Sequence, residues 1–360
     1  MSHRKREGRT EWSLLLGCIL FLCSGGMIII SVKYPQFAQW YSDSIYSKIV
    51  EFFGRISGAF PFSIVEIGLY IGILTIFITG IFAVVQRKRG RISIFQWFSR
   101  VFLSAAILLF LYVSNCGIQY HKSSFSEQSK ILVEAYSVEE LEETCVWLTE
   151  QVNQLTTKVS RTEKGTLELE NTWREQVVDC MKRLAKTYPC MSGYYPRPKP
   201  VIISEILSYQ GITGIYSPFT IEANYNQDMP EYELPFTACH ELSHLRGFMQ
   251  EEEANFIAFL ACRESEYSEV QYSGTLSAWV YAMNALYDAD WEAWKILRDK
   301  LDPSIEVDLD ANSQFWSQYE GEILEVANQI NDTYLKVNRQ EDGIQSYGKM
   351  VDLLVAYLQE

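Results

Sequence analysis

Three long apolar stretches near the start of the chain constrain its fold more than any other feature of the sequence. Residues 13–32 contain no charge, residues 61–85 contain one, and the stretch at 96–115 is uncharged only after Arg100. A helix of about 20 apolar residues crosses the roughly 30 Å of hydrocarbon in a bilayer. The sequence therefore predicts three transmembrane helices, with a buried helix of a soluble domain as the alternative for the third. The first run is longer than the apolar core of a cleaved signal peptide, which is its weaker alternative.

Basic residues on either side of these stretches predict the orientation. Cytoplasmic flanks of transmembrane helices are enriched in Lys and Arg. One cluster precedes the first stretch and another separates the second from the third; they comprise Arg4, Lys5, Arg6 and Arg9, and Arg87, Lys88, Arg89, Arg91 and Arg100. We therefore expect a multi-pass protein of the cell membrane with a cytoplasmic N-terminus, a membrane anchor at 1–116 and an extracytoplasmic domain at 117–360.

Two features of the anchor, an amphipathic segment and a glutamate, are expected near the outer surface of the membrane. Residues 41–56 carry Ile45, Ile49, Phe52, Phe53 and Ile56 at helical spacing, which predicts an amphipathic helix at the outer interface. Glu66 lies inside the second stretch, where a charge is costly. Because it follows Pro61 by only five residues, we expect it to reach the interface, with an intramembrane functional role as the alternative.

The composition excludes some roles for the rest of the chain. Asp and Glu number 45 against 31 Lys and Arg, and most of the acidic residues follow residue 116. A protein that neutralises phosphates needs a basic surface, so nucleic-acid binding is not expected. Six cysteines lie outside the membrane stretches, where disulfides can form. We expect Cys239 and Cys262 to be small core residues.

Hydrophobic periodicity predicts an α+β fold that is mostly helical with a small sheet. Strands are expected at 201–207 and 213–225. Helices are expected at 138–155, 167–188, 232–246, 251–265, 277–287, 290–301, 313–334 and 346–359. The segment 214–224 could be an edge strand on which a peptide lies by strand addition, or an ordinary strand of the sheet.

The sharpest motif is His240-Glu241-Leu242-Ser243-His244. Positions i and i+4 share one face of a helix, so both imidazoles can bind one metal ion while Glu241 lies beside them. This is the HExxH arrangement of zincin metallopeptidases, in which the glutamate is the general base. The motif therefore predicts a Zn²⁺ site, with a plain helix that carries two histidines as the alternative.

Zinc needs a third protein ligand and leaves a fourth position for water. Gly247 can end the first helix and let the chain fold back. Gln250 stands where a metzincin-type site would have a third histidine, which argues against that subgroup. A gluzincin-type site has a glutamate four residues before an Asp or Asn, and Glu251 and Asn255 have this spacing.

Glu251 is therefore the expected third ligand, and Asn255 is expected to orient a ligand side chain. Glu252 is the competing ligand, and Glu253 could be a solvated neighbour in an acidic first turn. A donor for the oxyanion is also expected, and Tyr272 and Tyr347 are the candidates.

Taken together, several segments of the chain resemble a bacterial family of membrane-anchored, zincin-like proteins of unknown function. These segments are the three apolar stretches, Gly214–Phe219, the HELSHLRGF and EEEANF stretches, and Asp342–Gly348. The resemblance implies a zincin-like metallopeptidase domain without supplying a substrate.

We therefore expect a membrane-tethered zinc metallopeptidase that acts on a peptide or protein. The alternative is a zinc-binding sensing or interaction module without turnover, although such a module does not need Glu241. An intramembrane protease is not expected, because His240 and His244 lie far from any apolar stretch.

Overall fold

The computed structural model describes residues 3–88, 94–338, 340, 343 and 349–359, and it is mostly helical with one small sheet. The first part of the chain forms α1 (His3–Lys33), α2 (Pro35–Tyr41), a π-helical turn (Ser42–Tyr46), α3 (Ser47–Gly58), α4 (Ile64–Lys88) and α5 (Ile94–Asn115).

Three of these helices are long and apolar enough to cross a membrane. The apolar parts are Thr10–Lys33 in α1, Ile64–Val85 in α4 and Phe95–Asn115 in α5. Only 22% of the most apolar window of α5 is buried, and Phe98 and Leu108 are among its exposed side chains, so it does not match the alternative of a buried helix in a soluble domain. α1 packs mainly along α5. Three apolar helices long enough to span a membrane therefore lie where the sequence predicts them.

The segment between α1 and α4 has two apolar faces. One face carries Phe52 and Phe53, which are exposed, as expected at an interface. The opposite face carries Tyr46 and Val50, which are buried in the same core as the rest of the protein. The hydroxyl of Tyr46 donates to the carbonyl oxygen of Leu245 at 3.0 Å. The anchor and the domain that follows it thus share one hydrophobic core.

After α5 the chain is built from short helices around a three-stranded sheet. Its elements are a 3-10 turn (Gly117–His121), α6 (Phe125–Ser129), α7 (Val138–Thr156), α8 (Trp173–Thr187), a 3-10 turn (Pro189–Met191), β1 (Lys199–Val201), α9 (Ser204–Tyr209), β2 (Gly214–Ser217), β3 (Glu222–Asn226), α10 (Glu233–Leu245), α11 (Glu251–Arg263), α12 (Ser268–Ala289), α13 (Trp291–Arg298), α14 (Pro303–Ser317), α15 (Glu322–Val337) and α16 (Met350–Gln359).

Local sequence signals account for several helix starts. The hydroxyl of Ser137 accepts the backbone N–H of Glu140, and the Glu140 side chain accepts the N–H of Ser137, so α7 begins with a capping box. Asp290 and Asp302 cap α13 and α14 because their carboxylates accept backbone N–H groups of the first turn.

The expectation of a strand over 201–207 was wrong. β1 ends at Val201, and α9 begins three residues later. The backbone N–H groups of Ile202 and Ile203 donate to the Glu66 carboxylate at 2.8 and 2.9 Å instead of to a neighbouring strand. Glu66 is 6% exposed and is held by these bonds, so it neither projects into lipid nor reaches toward solvent. A contact distant in sequence therefore ended this strand.

The single helix expected over 313–334 is two helices. Gly321 has a φ of 147°, which a residue with a side chain rarely adopts, and it separates α14 from α15. The expected strand over 213–225 is also divided, into β2 and β3. Ile221, with a φ of 54°, lies in the turn between them.

The sheet has the order β1-β3-β2, with β1 parallel and β2 antiparallel to β3. β2 is consequently an edge strand. The edge-strand interpretation of 214–224 therefore holds for the N-terminal part of that segment, which forms β2. α10 packs against β2, β3, α11 and α12, so this helix lies at the centre of the domain. All eight cysteines are free thiols, and Cys239 and Cys262 are buried in the core as expected.

Candidate metal centre

Three side chains from α10 and α11 converge on one point. The Nε2 atoms of His240 and His244 lie 3.2 and 3.6 Å from Oε2 of Glu251. One potential ligand atom of each residue lies within 4.8 Å of the others. The two histidines are four positions apart on one helix, so their imidazoles share a face. The two rings meet edge to face, with centroids 4.5 Å apart. These residues therefore form a group that could hold a metal ion.

The Nδ1 atom of each imidazole is hydrogen-bonded to an oxygen atom. Nδ1 of His240 lies 2.7 Å from Oδ1 of Asn255, and Nδ1 of His244 lies 2.8 Å from the carbonyl oxygen of Phe248. Both oxygens accept hydrogen bonds, so each Nδ1 carries a proton and each Nε2 faces Glu251. This is the ring orientation that a metal ligand requires once its Nε2 is deprotonated.

The turn between the helices makes this possible. Gly247 has a φ of 87°, and its N–H donates to the carbonyl oxygen of His244 at 2.8 Å. The reversed chain brings the Phe248 carbonyl back to His244 and starts α11 at Glu251. Gln250 lies outside the cluster, and its amide donates to the Tyr120 carbonyl.

The neighbouring acids point elsewhere. The Glu252 carboxylate accepts a hydrogen bond from Nε2 of Gln340 at 2.8 Å. The Glu253 carboxylate accepts the backbone N–H of Phe125 and is buried, so it is not the solvated neighbour that the sequence allowed. Of the three acids, Glu251 is the one that faces the histidines.

Charges within the cluster are strongly coupled. Burial by itself would raise the pKa of Glu251, but the two imidazoles outweigh it and hold that pKa well below its usual range. Burial likewise opposes the charge on His244, but Glu251 raises the pKa of His244 to about 9. The cluster thus presents one carboxylate to two imidazoles in a buried setting, where a cation would be attracted.

Glu241 lies next to this cluster and against the edge strand. Burial raises the pKa of its carboxyl group, and the N–H of Tyr216 in β2 donates a hydrogen bond to it. Its second oxygen, Oε2, is buried without a hydrogen-bond partner among the residues that the structure describes. A buried carboxylate oxygen is costly to leave unpaired, so this atom is suited to bind a ligand.

Gly214 permits this close approach. A Cβ at Gly214 would lie 2.5 Å from Oε1 of Glu241, closer than real side chains come. A glycine in a strand signals such a close approach, so the sequence itself carries a signal for this contact.

A cavity of about 1030 Å³, called the cleft below, surrounds the cluster. Its walls come from the edge strand β2, the helices α10 and α12, the end of α5 and the apolar face of α15. Among the residues that line it are Ile215, Tyr216, His240, Glu241, Glu251 and Tyr281. The cleft is large enough for several side chains of a peptide.

A family model described as a protein of unknown function, DUF3810, matches residues 41–355. The chain belongs to this family. The DUF3810 match contains α4, α5 and the whole candidate metal centre, so these parts belong to one family unit. No curated protein and no solved structure matches the chain.

Tyr272, one of the two tyrosines expected as oxyanion donors, does not line the cleft of this DUF3810 protein. The hydroxyl of Tyr272 is fully buried and donates to Oδ2 of Asp308 at 2.6 Å, away from the cluster. Tyr347 lies outside the described residues. Tyr281 does line the cleft, and its hydroxyl accepts a hydrogen bond from Nδ2 of Asn255 at 3.3 Å. No local pattern distinguishes Tyr281 from the other 21 tyrosines, so the sequence alone could not select it.

Proposed function

We propose that this protein is a membrane-tethered zinc metallopeptidase. The observation that carries the proposal is the convergence of the His240 and His244 Nε2 atoms on the Glu251 carboxylate, with Glu241 on the same helix face. Two neutral imidazoles and a carboxylate are a frequent ligand set of catalytic zinc, which keeps one position open. The metzincin alternative is not supported, because Gln250 faces away.

The donor set fits zinc on two further grounds. Both Nδ1 atoms are already bonded to oxygen acceptors, so neither imidazole must change its tautomer to bind. The ligand atoms of Glu251 and the two histidines also lie within 4.8 Å of one another at the wall of a large cavity, which leaves space for a metal ion and a further ligand. When bound, zinc supplies a Lewis acid that polarises a carbonyl and lowers the pKa of a water to about 7.

The protein's own residues account for the remaining steps. His240, His244 and Glu251 would hold the metal, and Asn255 would orient His240. β2 would bind an extended peptide along its free edge and thereby align the scissile bond with Glu241. Glu241 would accept a proton from the attacking water and return it to the amine that leaves. Its raised pKa suits a group that takes and then gives back a proton.

The site belongs on the outer side of the membrane in this proposal. The basic clusters before α1 and between α4 and α5 support a cytoplasmic position for those ends. Three membrane helices then leave the cleft on the opposite face.

The test is the zinc content and peptidase activity of the full-length protein in lipid nanodiscs. The full chain is required because residues of α2 and α3 belong to the core. We expect about one zinc per chain in the wild type. Glu251→Ala should lose it, and Glu252→Ala, the matched control, should retain it.

Activity on a mixed peptide library separates the two functional classes. Glu241→Gln should retain zinc but lose about 10²–10⁴-fold in turnover, as expected for a general base. Zinc without cleavage in the wild type would favour the sensing module. A wild type without zinc would refute the metal centre itself.

A further inference from the structure

The cleft reaches the membrane helices themselves. Tyr112 belongs to the apolar part of α5, and it lines the cleft together with Cys116 and Tyr120 just beyond that helix. Tyr112 also donates to the side chain of Asn338, just after α15, at 3.0 Å. One wall of the cleft is therefore formed at the end of a membrane span.

The sheet whose edge strand β2 lines the cleft is bonded, through β3 and the loop after β1, to the first turn of α4. The Glu66 carboxylate of α4 accepts the N–H groups of Ile202 and Ile203. In return, the Glu222 carboxylate of β3 accepts the N–H groups of Ile64 and Val65 at 3.1 and 3.0 Å. These reciprocal bonds hold the loop after β1 within one side-chain length of the start of a membrane span.

Large apolar side chains are exposed at this level. They are between 37% and 57% exposed, and they consist of Phe60, Phe62, Ile202, Ile203 and Ile206. We call them the interface patch. Phe60 and Phe62 directly precede α4, Ile202 and Ile203 donate their N–H groups to Glu66 in its first turn, and Ile206 follows them in α9. The apolar side chains of α4 are themselves exposed along its length. Exposed apolar surface that continues a membrane span is stable when lipid covers it.

The cleft begins where the chain leaves α9, the helix that carries Ile206 of the interface patch. The chain passes from α9 through residues 210–213 into β2, and residues 210–216 line the cleft. On the facing wall, α15 directs Ile323, Val326 and Ile330 at the cleft, and these side chains are 54% to 66% exposed. α15 adjoins residue 211 through Leu324 and α5 through Tyr334, so it borders the cleft from the end of α9 to the end of α5.

We propose that the cleft receives its substrate from the membrane surface, as an apolar peptide segment anchored in the bilayer. The inference rests on the proposed peptidase function and adds the class of substrate to it. The segment enters between α9 and α15, pairs with the free edge of β2 and places apolar side chains against α15. Apolar side chains near the scissile bond are favoured because Ile215 and Ile330 line the two walls.

The test measures how far from a membrane anchor the cleft captures a peptide. The full-length Glu241→Gln protein in nanodiscs carries a photoreactive benzophenone side chain in place of Ile330. The probes are apolar decapeptides in three forms: free, joined directly to a myristoyl chain, or joined through a 20-residue Gly/Ser linker. Such a linker reaches about 25 Å. The matched control carries the benzophenone in place of Ile296, an exposed residue of α13.

We expect the directly anchored peptide to be captured at least about fivefold more than the free one, because the anchor raises its effective concentration at membrane level. It should also be captured at least as well as the peptide with the long linker. Capture only through the long linker would overturn the proposal, because the cleft would then lie above the membrane. Equal capture of all three forms, capture of none, or labelling of lipid alone would overturn it too.

The same proteins separate this inference from the peptidase proposal. Capture of the anchored peptide by Glu241→Gln, with no cleavage of it by the wild type, would refute the peptidase and leave the route of entry standing. Cleavage of the free and the long-linked peptides alone would refute the route and leave the peptidase standing.

Discussion

Replacing Gly214 by alanine tests whether the edge strand positions Glu241. The new Cβ would lie 2.5 Å from Oε1 of Glu241 and 2.8 Å from Cγ2 of Thr237. Real Cβ atoms essentially never have a contact shorter than 3.0 Å, and ordinary van der Waals contact begins at 3.4 Å. The carboxylate or the strand must therefore move by about 0.5 to 0.9 Å. A misplacement of about 1 Å can cost about 10²-fold in rate. We therefore expect the turnover number of Gly214→Ala to fall about 10²-fold.

The metal content supplies the internal control for this variant. The three atoms nearest the new methyl group belong to Glu241 and Thr237 and not to the three proposed zinc ligands, so zinc binding should not change. Overpacking should also lower the free energy of unfolding by about 1–3 kcal/mol. Gly72→Ala is the matched substitution, since its Cβ would have no atom within 4 Å, and it should leave turnover unchanged.

A double-mutant cycle gives the decisive measurement. In a Glu241→Asp background the shorter side chain vacates the space, so Gly214→Ala should cost much less than in the wild type. The same loss in both backgrounds, or full activity in Gly214→Ala, would show that the strand does not position this carboxylate.

Three further changes follow from other buried contacts. Glu222→Ala leaves Lys199 as an unpaired buried cation and should lower the free energy of unfolding by about 3–5 kcal/mol, measured by chemical denaturation in detergent; Lys199→Met in the same chain should recover part of this loss. Asn255→Ala should weaken zinc binding about 10–100-fold in a competition titration, whereas Asn255→Asp should retain an acceptor for His240 and bind nearly normally. Burial raises the pKa of Glu233 from 4.5 to about 7, so the folded state holds this proton more tightly than the unfolded state, and stability falls as the pH rises from about 4.5 to 7. The pKa shift corresponds to about 3 kcal/mol, and we expect about half of this at a partly exposed site. The free energy of unfolding of Glu233→Gln should therefore exceed that of the wild type by about 1–2 kcal/mol at pH 8 and equal it at pH 4.

Local patterns predicted the helices that carry the metal cluster. The four-residue spacing of His240 and His244 requires only a helix, and Gly247 supplies the backbone freedom that the following turn needs. The expectation that Glu251 joins them came from its gluzincin-type spacing to Asn255, and the structure brings these side chains together. Spacing along the chain was therefore enough to select the three side chains of the cluster.

Predictions failed where distant residues compete for the backbone. The segment after Val201 has the composition of a strand, but Glu66, which lies more than 130 residues earlier, accepts its N–H groups. The apolar period of residues 313–334 continues through the break between two helices, because Gly321 interrupts the backbone without interrupting the pattern. The prediction of Tyr272 as an oxyanion donor failed because its hydroxyl donates to Asp308, a residue distant in sequence, instead of facing the cleft.

The sequence by itself determined which segments form long apolar helices and which carry the side chains of the candidate metal centre, because hydrophobic length and helical spacing are local properties. Only the tertiary structure decided that α3, α4 and α5 pack and bond directly against the domain that carries the site. Reciprocal bonds between Glu66, Glu222 and distant backbone N–H groups cannot be read from a pattern, since they depend on which chain ends meet in space. The proposed position of the cleft at the level of the membrane rests on those contacts.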